Sequence, residues 1–149
     1  MALRNIVYSS EPLIRKKSKV ITDFDERLDI LLEDMKETMR KNEGVGLAAV
    51  QVGVLKRAVV IEACGQYFEL INPVILNSEG TQTGPEGCLS VKNVSGDVVR
   101  PYKVTINAQT RYGDNMVLTL EGMLAVVACH EIDHLDGILF IDKMIEKRD

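Results

Sequence analysis

The chain has two histidines, and both fall within five residues of each other in ACHEIDHLDG, between Ala128 and Gly137. Residues four apart on a helix lie about 40° apart in projection, so His130 and His134 would turn both rings towards one point. That spacing chelates a metal ion, and Glu131 would project close enough to handle a proton on a water at the metal. The plain alternative is a solvated polar helix end. The confinement of every histidine in the chain to one motif weighs against it.

Two imidazoles do not complete a catalytic site, which generally takes three protein ligands and keeps one position open. Zinc peptidases with this helix add a distant glutamate or a third histidine, and a third histidine is absent here. Cysteine is the other source, with Cys64, Cys88 and Cys129 available. Cys129 points about 100° away from His130 and reads as packing. Cys64 ends a strand-like run and reads as a small buried residue. Cys88 stands in EGCLS behind a glycine-rich approach where the backbone can bend to a metal, and is the favoured third ligand. Asp133, about 60° from His130 on the helix, would need a donor if buried. Arg100, held extended before Pro101, is expected to pair with Asp133 or with Glu86 and so tie the two ligand-bearing segments together.

Several elements must position these groups. From Asp23 to Lys41, Leu28, Leu31, Leu32, Met35 and Met39 recur at helical spacing, with Asp23 as the expected cap and Gly44 as the stop. GVGLAAVQVG (44–53) is too glycine-rich for a continuing helix and too apolar for a free loop. Strands are expected at 57–62 and at 67–72, the latter closed by Pro73. SEGTQTGPEG (78–87) reads as turns leading into Cys88. Further strands are expected at 98–108 and 116–120, then a helix from Glu121 to Leu135 capped by Gly137. The order predicts an α+β fold: antiparallel β-sheets packed around a central metal-ligating helix, with a long amphipathic N-terminal helix.

The 149 residues suit one domain with a substantial core, and the composition, 46% hydrophobic and 27% charged, shows no bias towards disorder or repeats. A net charge of −4 argues against a general nucleic-acid binder, so no direct nucleic-acid binding is expected. No signal peptide and no membrane span are read in the sequence. An odd number of cysteines fits a reducing, cytoplasmic setting in which a thiolate is available.

GVGLAAVQVG, EGCLS and HEIDHLDG, in this order and spacing and preceded by EPLIRKKSKVITDFDERL, resemble the signature motifs of the peptide deformylase family. The similarity runs over nearly the whole chain and implies one catalytic domain, 1–149. It implies removal of the N-terminal formyl group from formyl-methionyl nascent polypeptides, releasing formate. By the same resemblance Cys88, His130 and His134 would be metal ligands and Glu131 the general acid/base. Gln51 and the backbone N–H of Leu89 would bind the oxyanion. The ion implied is Fe²⁺, with Zn²⁺ or Ni²⁺ as replacements. Met123, Val126 and Val127 share the face of His130 and could wall a methionine pocket, although core packing accounts for each alone. Val45 and Gly46 could hydrogen-bond an extended peptide through their backbone.

Lys92, Val50 and Cys129 depart from the usual family residues at their positions, and bear on substrate preference more than on chemistry. The sequence ends at KMIEKRD without a long basic C-terminal helix, which leaves open how transient contact with the ribosome would be made. Two other readings compete: a zinc peptidase using the HEIDH helix, which would not need Cys88, and a non-catalytic metal-binding relative. Intact Glu131, Gln51 and Cys88 count against the second.

Overall fold

The computed structural model describes residues 2–148; Met1 and Asp149, the ends of the expected domain, lie outside the described residues. Helix α1 (Glu26–Lys41) buries Leu28, Leu31, Leu32, Met35 and Met39, the predicted apolar face. Its cap is Asp25 rather than Asp23: Asp25 has the extended backbone, and its carboxylate accepts the Leu28 N–H at 3.2 Å. At the other end Glu43 rather than Gly44 takes the left-handed position, at φ 57°. The Gly44 N–H then closes on the Met39 carbonyl at 2.9 Å, satisfying an orphan carbonyl of the last turn.

The apolar stretch after α1 forms strand β1 (Gly46–Ala48) and a 3-10 turn over Ala49–Val52. Strands β2 (Ala58–Ala63), β3 (Gln66–Glu79), β6 (Lys103–Gln109) and β7 (Asn115–Glu121) complete a five-stranded sheet in the order β1-β2-β3-β6-β7. Strands β4 (Gln82–Cys88), β5 (Val91–Arg100) and β8 (Met144–Arg148) form a second sheet, β4-β5-β8. Every strand pair is antiparallel. Helix α2 (Met123–Leu135) follows β7 directly, so Glu121 belongs to the strand and not to the helix.

Alternation along β2 explains how one sheet serves two cores. Ala58 and Val60 pack with Leu32, Met35 and Met39 of α1, whereas Val59 and Ile61 pack with Ala125, Val127 and Ala128 of α2. A strand covered on both faces reads as a continuous apolar run, as AVVI (58–61) does.

Four further sequence expectations are corrected. Pro73 does not close a strand; β3 runs through it, with a register shift between Ile71 and Val74 that accommodates a residue lacking an N–H. The segment read as turns, 78–87, is mostly β4, paired with β5 from Gln82↔Arg100 onward. The single strand expected over 98–108 is two, divided at Pro101 and Tyr102 and assigned to different sheets. Cys64 is exposed rather than buried: with Gly65 it forms the tight β2–β3 turn, both residues at positive φ (54° and 72°).

Candidate active site

Helix α2 runs through the interior, with Leu124, Ala125, Val127, Ala128, Cys129, Ile132 and Leu135 buried along it. Its last turn is fixed by Gly137, at φ 75°; a Cβ there would meet the Arg15 carbonyl oxygen at 2.2 Å. Side chains can lie this deep only if their polar atoms find partners. His130 and His134 lie one turn apart with ring centroids 5.0 Å from each other. Cys88 comes from the end of β4, where the ladder slips between Glu86 and Cys88. Its Sγ is 3.3 Å from His134 Nε2. One donor atom from each of Cys88, His130 and His134 lies within 4.8 Å of the others.

The chain gives His130 an orientation. Glu86 Oε1 meets His130 Nδ1 at 2.9 Å, which leaves Nε2 free for the cluster. Both Glu86 oxygens also accept from Arg100, from Nε and Nη2 at 2.9 Å each. Arg100 Nη1 donates to Asp133 at 2.7 Å, and Lys143 lies 3.1 Å from the same carboxylate. Arg100 therefore pairs with both carboxylates weighed from sequence, joining β4, β5 and α2. Glu86 as the partner of His130, Ser90 as a partner of Gln51, and Lys143 beside Asp133 were missed. A glutamate two residues before the favoured cysteine ligand was the one available signal.

The first motif closes the other side. A Cβ on Gly46 would lie 2.7 Å from Glu131 Oε2, so only glycine lets β1 pass this close. Gln51 is buried; its Oε1 accepts the Ala48 N–H at 2.9 Å, which sets the amide with Nε2 towards Cys88. Nε2 donates to Ser90 Oγ at 3.1 Å and lies 3.5 Å from Cys88 Sγ. An amide nitrogen carries two hydrogens, so one serves Ser90 and the other points at the Cys88 sulfur, where a ligand at the cluster would compete for it.

Gln51, Cys88, Leu89, His130 and Glu131 line a cavity of about 680 Å³. Val45, Gly46, Met123, Val126 and Val127 line it too, with Val45 and Met123 at 41% and 51% exposure on its rim. His134 is fully buried below the floor. Cys129 packs away from the cavity, and burial pushes its thiol up to about 11.

Electrostatics separate the two carboxylates that flank His130. Burial pushes Glu131 up to about 7, against the pull of His130. Glu86 is buried too, though less deeply, and hydrogen bonds from Arg100 and then His130 overcome that burial and bring it down to about 2. Burial opposes charge on His130, but Glu131, Cys88 and Glu86 raise it to about 10, so a metal would bind there only by displacing a proton. Burial and the neighbouring His130 hold His134 well below its usual value, in the neutral form a ligand needs.

Glu131 Oε1 and His134 Nδ1 are buried without a hydrogen-bond partner among the described residues. One thiol and two imidazoles, with one imidazole backed by a carboxylate, match the donor set and support of a catalytic divalent-metal site. The residues fit such an ion.

An α+β chain with this cluster beside an up-shifted glutamate at a cavity floor has the build of a metal-dependent hydrolase. A sequence model of the polypeptide deformylase family matches residues 3–149. A peptide deformylase from Caldicellulosiruptor bescii is 57% identical over 145 residues, 97% of this chain and 87% of that protein. The crystal structure of the peptide deformylase from Thermotoga maritima superimposes with a TM-score of 0.93 at 38% identity, covering 95% of this chain and 97% of that one. One from Legionella pneumophila gives 0.92 at 43% identity, covering 95% and 86%. The chain belongs to the polypeptide deformylase family.

Proposed function

We propose that residues 1–149 form one catalytic domain that removes the N-terminal formyl group from formyl-methionyl nascent polypeptides and releases formate. Cys88, His130 and His134 would hold a divalent ion on the central helix α2. The family resemblance favours Fe²⁺, with Zn²⁺ or Ni²⁺ as replacements, and the mixed sulfur and nitrogen donors suit all three. Such an ion supplies Lewis acidity and makes water acidic enough to react near neutral pH.

The remaining chemistry belongs to side chains. Glu131 Oε1, buried and unpartnered, is the group that takes the proton from the attacking water and returns it to the departing amine. A value near 7 suits a group that must accept and then donate. The Gln51 N–H that faces Cys88 and the backbone N–H of Leu89 would hold the tetrahedral oxyanion. Met123, Val126 and Val127 would take the methionine side chain, while the backbone at Val45 and Gly46 pairs with the extended peptide.

One observation carries the reading: Cys88 is brought from a different sheet onto the two histidines. A zinc peptidase using the helix alone would have no need of it. Among the described residues no helix is long and apolar enough to cross a membrane. The three cysteines are free, and a reducing cytoplasm is the setting in which a ligand thiol persists.

The test is formate release from a formyl-Met peptide by anaerobically purified protein. Glu131→Gln should keep the metal and lower turnover by at least about 10²–10⁴-fold. Release at the wild-type rate by that variant would remove Glu131 from the mechanism.

A further inference from the structure

The two donors assigned to the oxyanion come from separate parts of the fold. Gln51 stands in the 3-10 turn after β1 of the five-stranded sheet, and Leu89 follows β4 of the other sheet. Donors stabilise developing charge only when both are aimed at it beforehand. What sets one against the other here is a side-chain hydrogen bond. Gln51 Nε2 donates to Ser90 Oγ at 3.1 Å, and Ser90 is the residue next to Leu89. Gln51 is 1% exposed and Ser90 0%, so bulk water offers neither side chain a substitute partner.

A primary amide is planar, so holding two of its polar atoms fixes where the third points. The Ala48 N–H can only donate, which assigns Oε1 to the atom facing it at 2.9 Å. Nε2 then lies on the Ser90 side, one hydrogen on Oγ and the other towards Cys88 Sγ at 3.5 Å. Without the Ser90 hydroxyl only Oε1 is held. The last torsion of a glutamine is soft, and a buried N–H left unpaired must seek another acceptor. The hydrogen facing the cluster would lose its aim.

A third segment braces both residues through the backbone. The Val7 N–H donates to the Gln51 carbonyl and the Ser9 N–H to the Ser90 carbonyl, each at 2.7 Å. Val7 is buried in the core, and the Tyr8 N–H meets the Glu11 carboxylate at 2.7 Å. Lys92 Nζ lies 4.3 Å from the centre of the Tyr8 ring. Lys92, a departure from the usual family residue, therefore contacts this brace and does not line the cavity.

We propose that Ser90 is a positioning residue for oxyanion binding: its hydroxyl, braced by Val7–Ser9, sets the plane of the Gln51 amide so that the Gln51 and Leu89 N–H groups converge. The inference rests on the proposed function, since it is an oxyanion at the cluster that needs both donors. Ser90 does not line the cavity, so its influence on turnover passes through Gln51. Removing the hydroxyl should therefore matter only while the Gln51 amide is present.

The test is a double-mutant cycle on full-length, metal-loaded protein carrying Ser90→Ala, Gln51→Ala or both, with a formyl-Met peptide as substrate. Losing an oxyanion donor outright costs about 10²–10³-fold in kcat, and losing its alignment should cost part of that. Ser90→Ala should lower kcat by about 10-fold or more, with KM and bound metal at wild-type values. In the Gln51→Ala background the same change should alter kcat by less than about twofold. A second readout does not need turnover. In isotope-labelled, zinc-loaded protein the Gln51 side-chain amide should give two sharp, distinct proton signals that broaden in Ser90→Ala, while the backbone spectrum reports an intact fold. Wild-type kcat in Ser90→Ala, an equal loss in both backgrounds, or a loss that falls on KM or metal content would overturn the positioning role. Gln51 signals unchanged by Ser90→Ala would overturn it too. Wild-type protein whose Gln51 amide is ordered by Ser90 but which releases no formate would leave that control of the amide standing and sink the proposed function instead.

Discussion

Two arginines in this molecule each clamp several carboxylates, in different surroundings. Arg100, 3% exposed, ends β5 and grips Glu86 with two hydrogen bonds and Asp133 with a third. Arg111, 17% exposed, lies in the turn after β6, grips Glu69 with two, and reaches Glu33 at 2.8 Å. The donors and acceptors are alike. What differs is the further partner of the central carboxylate: Glu86 holds His130, whereas Glu69 holds the Tyr67 hydroxyl at 2.8 Å. The first cluster transmits geometry to the candidate site, and the second pins α1 to the β6–β7 turn. An arginine network is not in itself a sign of function; its last hydrogen bond decides.

The sharpest way to test that difference is to remove each arginine. Arg100→Met leaves the buried Glu86 with His130 alone and Asp133 with Lys143 alone, and breaking a buried pair from one side costs about 3–5 kcal/mol. Denaturant unfolding should show a loss of that size, accompanied by release of bound metal. A midpoint within error of wild type would mean that water enters and solvates both carboxylates.

Second in size is Glu86→Gln, which preserves shape but weakens the orientation of His130. Partners of metal-bound histidines typically matter 10–100-fold in affinity or activity. Competition with a chelator should show a loss in that range, while Glu69→Gln, the matching change in the outer cluster, should leave metal retention unaltered. Equal metal loss in both variants would erase the functional distinction between the clusters.

Some of this contrast was legible before the fold. The grouping of His130 and His134 follows from local spacing, because a helix converts sequence separation directly into direction, and Cys88, which motifs singled out, lies beside them. Both helices were legible for the same reason, through runs such as Leu28, Leu31, Leu32 and Met35. The path of the strands was not. Pro73 reads locally as a stop, but a bulge on β3 absorbs it. GTQTGPEG reads as turns, but pairing with β5 holds it as β4. The contact of Arg111 with Glu33 spans 78 residues, and nothing in either neighbourhood announces it. Cys64 shows the same limit in reverse: its strand-like setting gave no notice that the chain turns on it.

Third comes Arg111→Met. Glu69 keeps the Tyr67 hydroxyl, and Glu33 and Asp29 reach water and can be resolvated, so the cost should stay within about 1 kcal/mol despite the number of contacts. Turnover and metal content should not change. A loss comparable to that of Arg100→Met would show that the packing of α1 against the turn, rather than exposure, sets the cost, since the guanidinium also covers apolar surface.

The smallest effect is in the response to acid. Hydrogen bonds from Arg111 and then Lys36 hold Glu33 below its ordinary 4.5, against a minor opposing effect of burial. A carboxyl lowered in the folded state stays ionised there while its unfolded counterpart takes up a proton, so its stabilisation is complete above the unfolded value and fades as pH falls through the folded one. Wild-type stability should therefore decline below about pH 4.5 partly through Glu33, and Arg111→Met should decline less steeply over the same window. Because the cluster is wet, added salt should bring the two slopes together by screening the wild-type interaction. Slopes that already coincide at low salt would mean that Lys36 alone sets the ionisation of Glu33, leaving Arg111 as a hydrogen-bonded strut with no electrostatic share in stability.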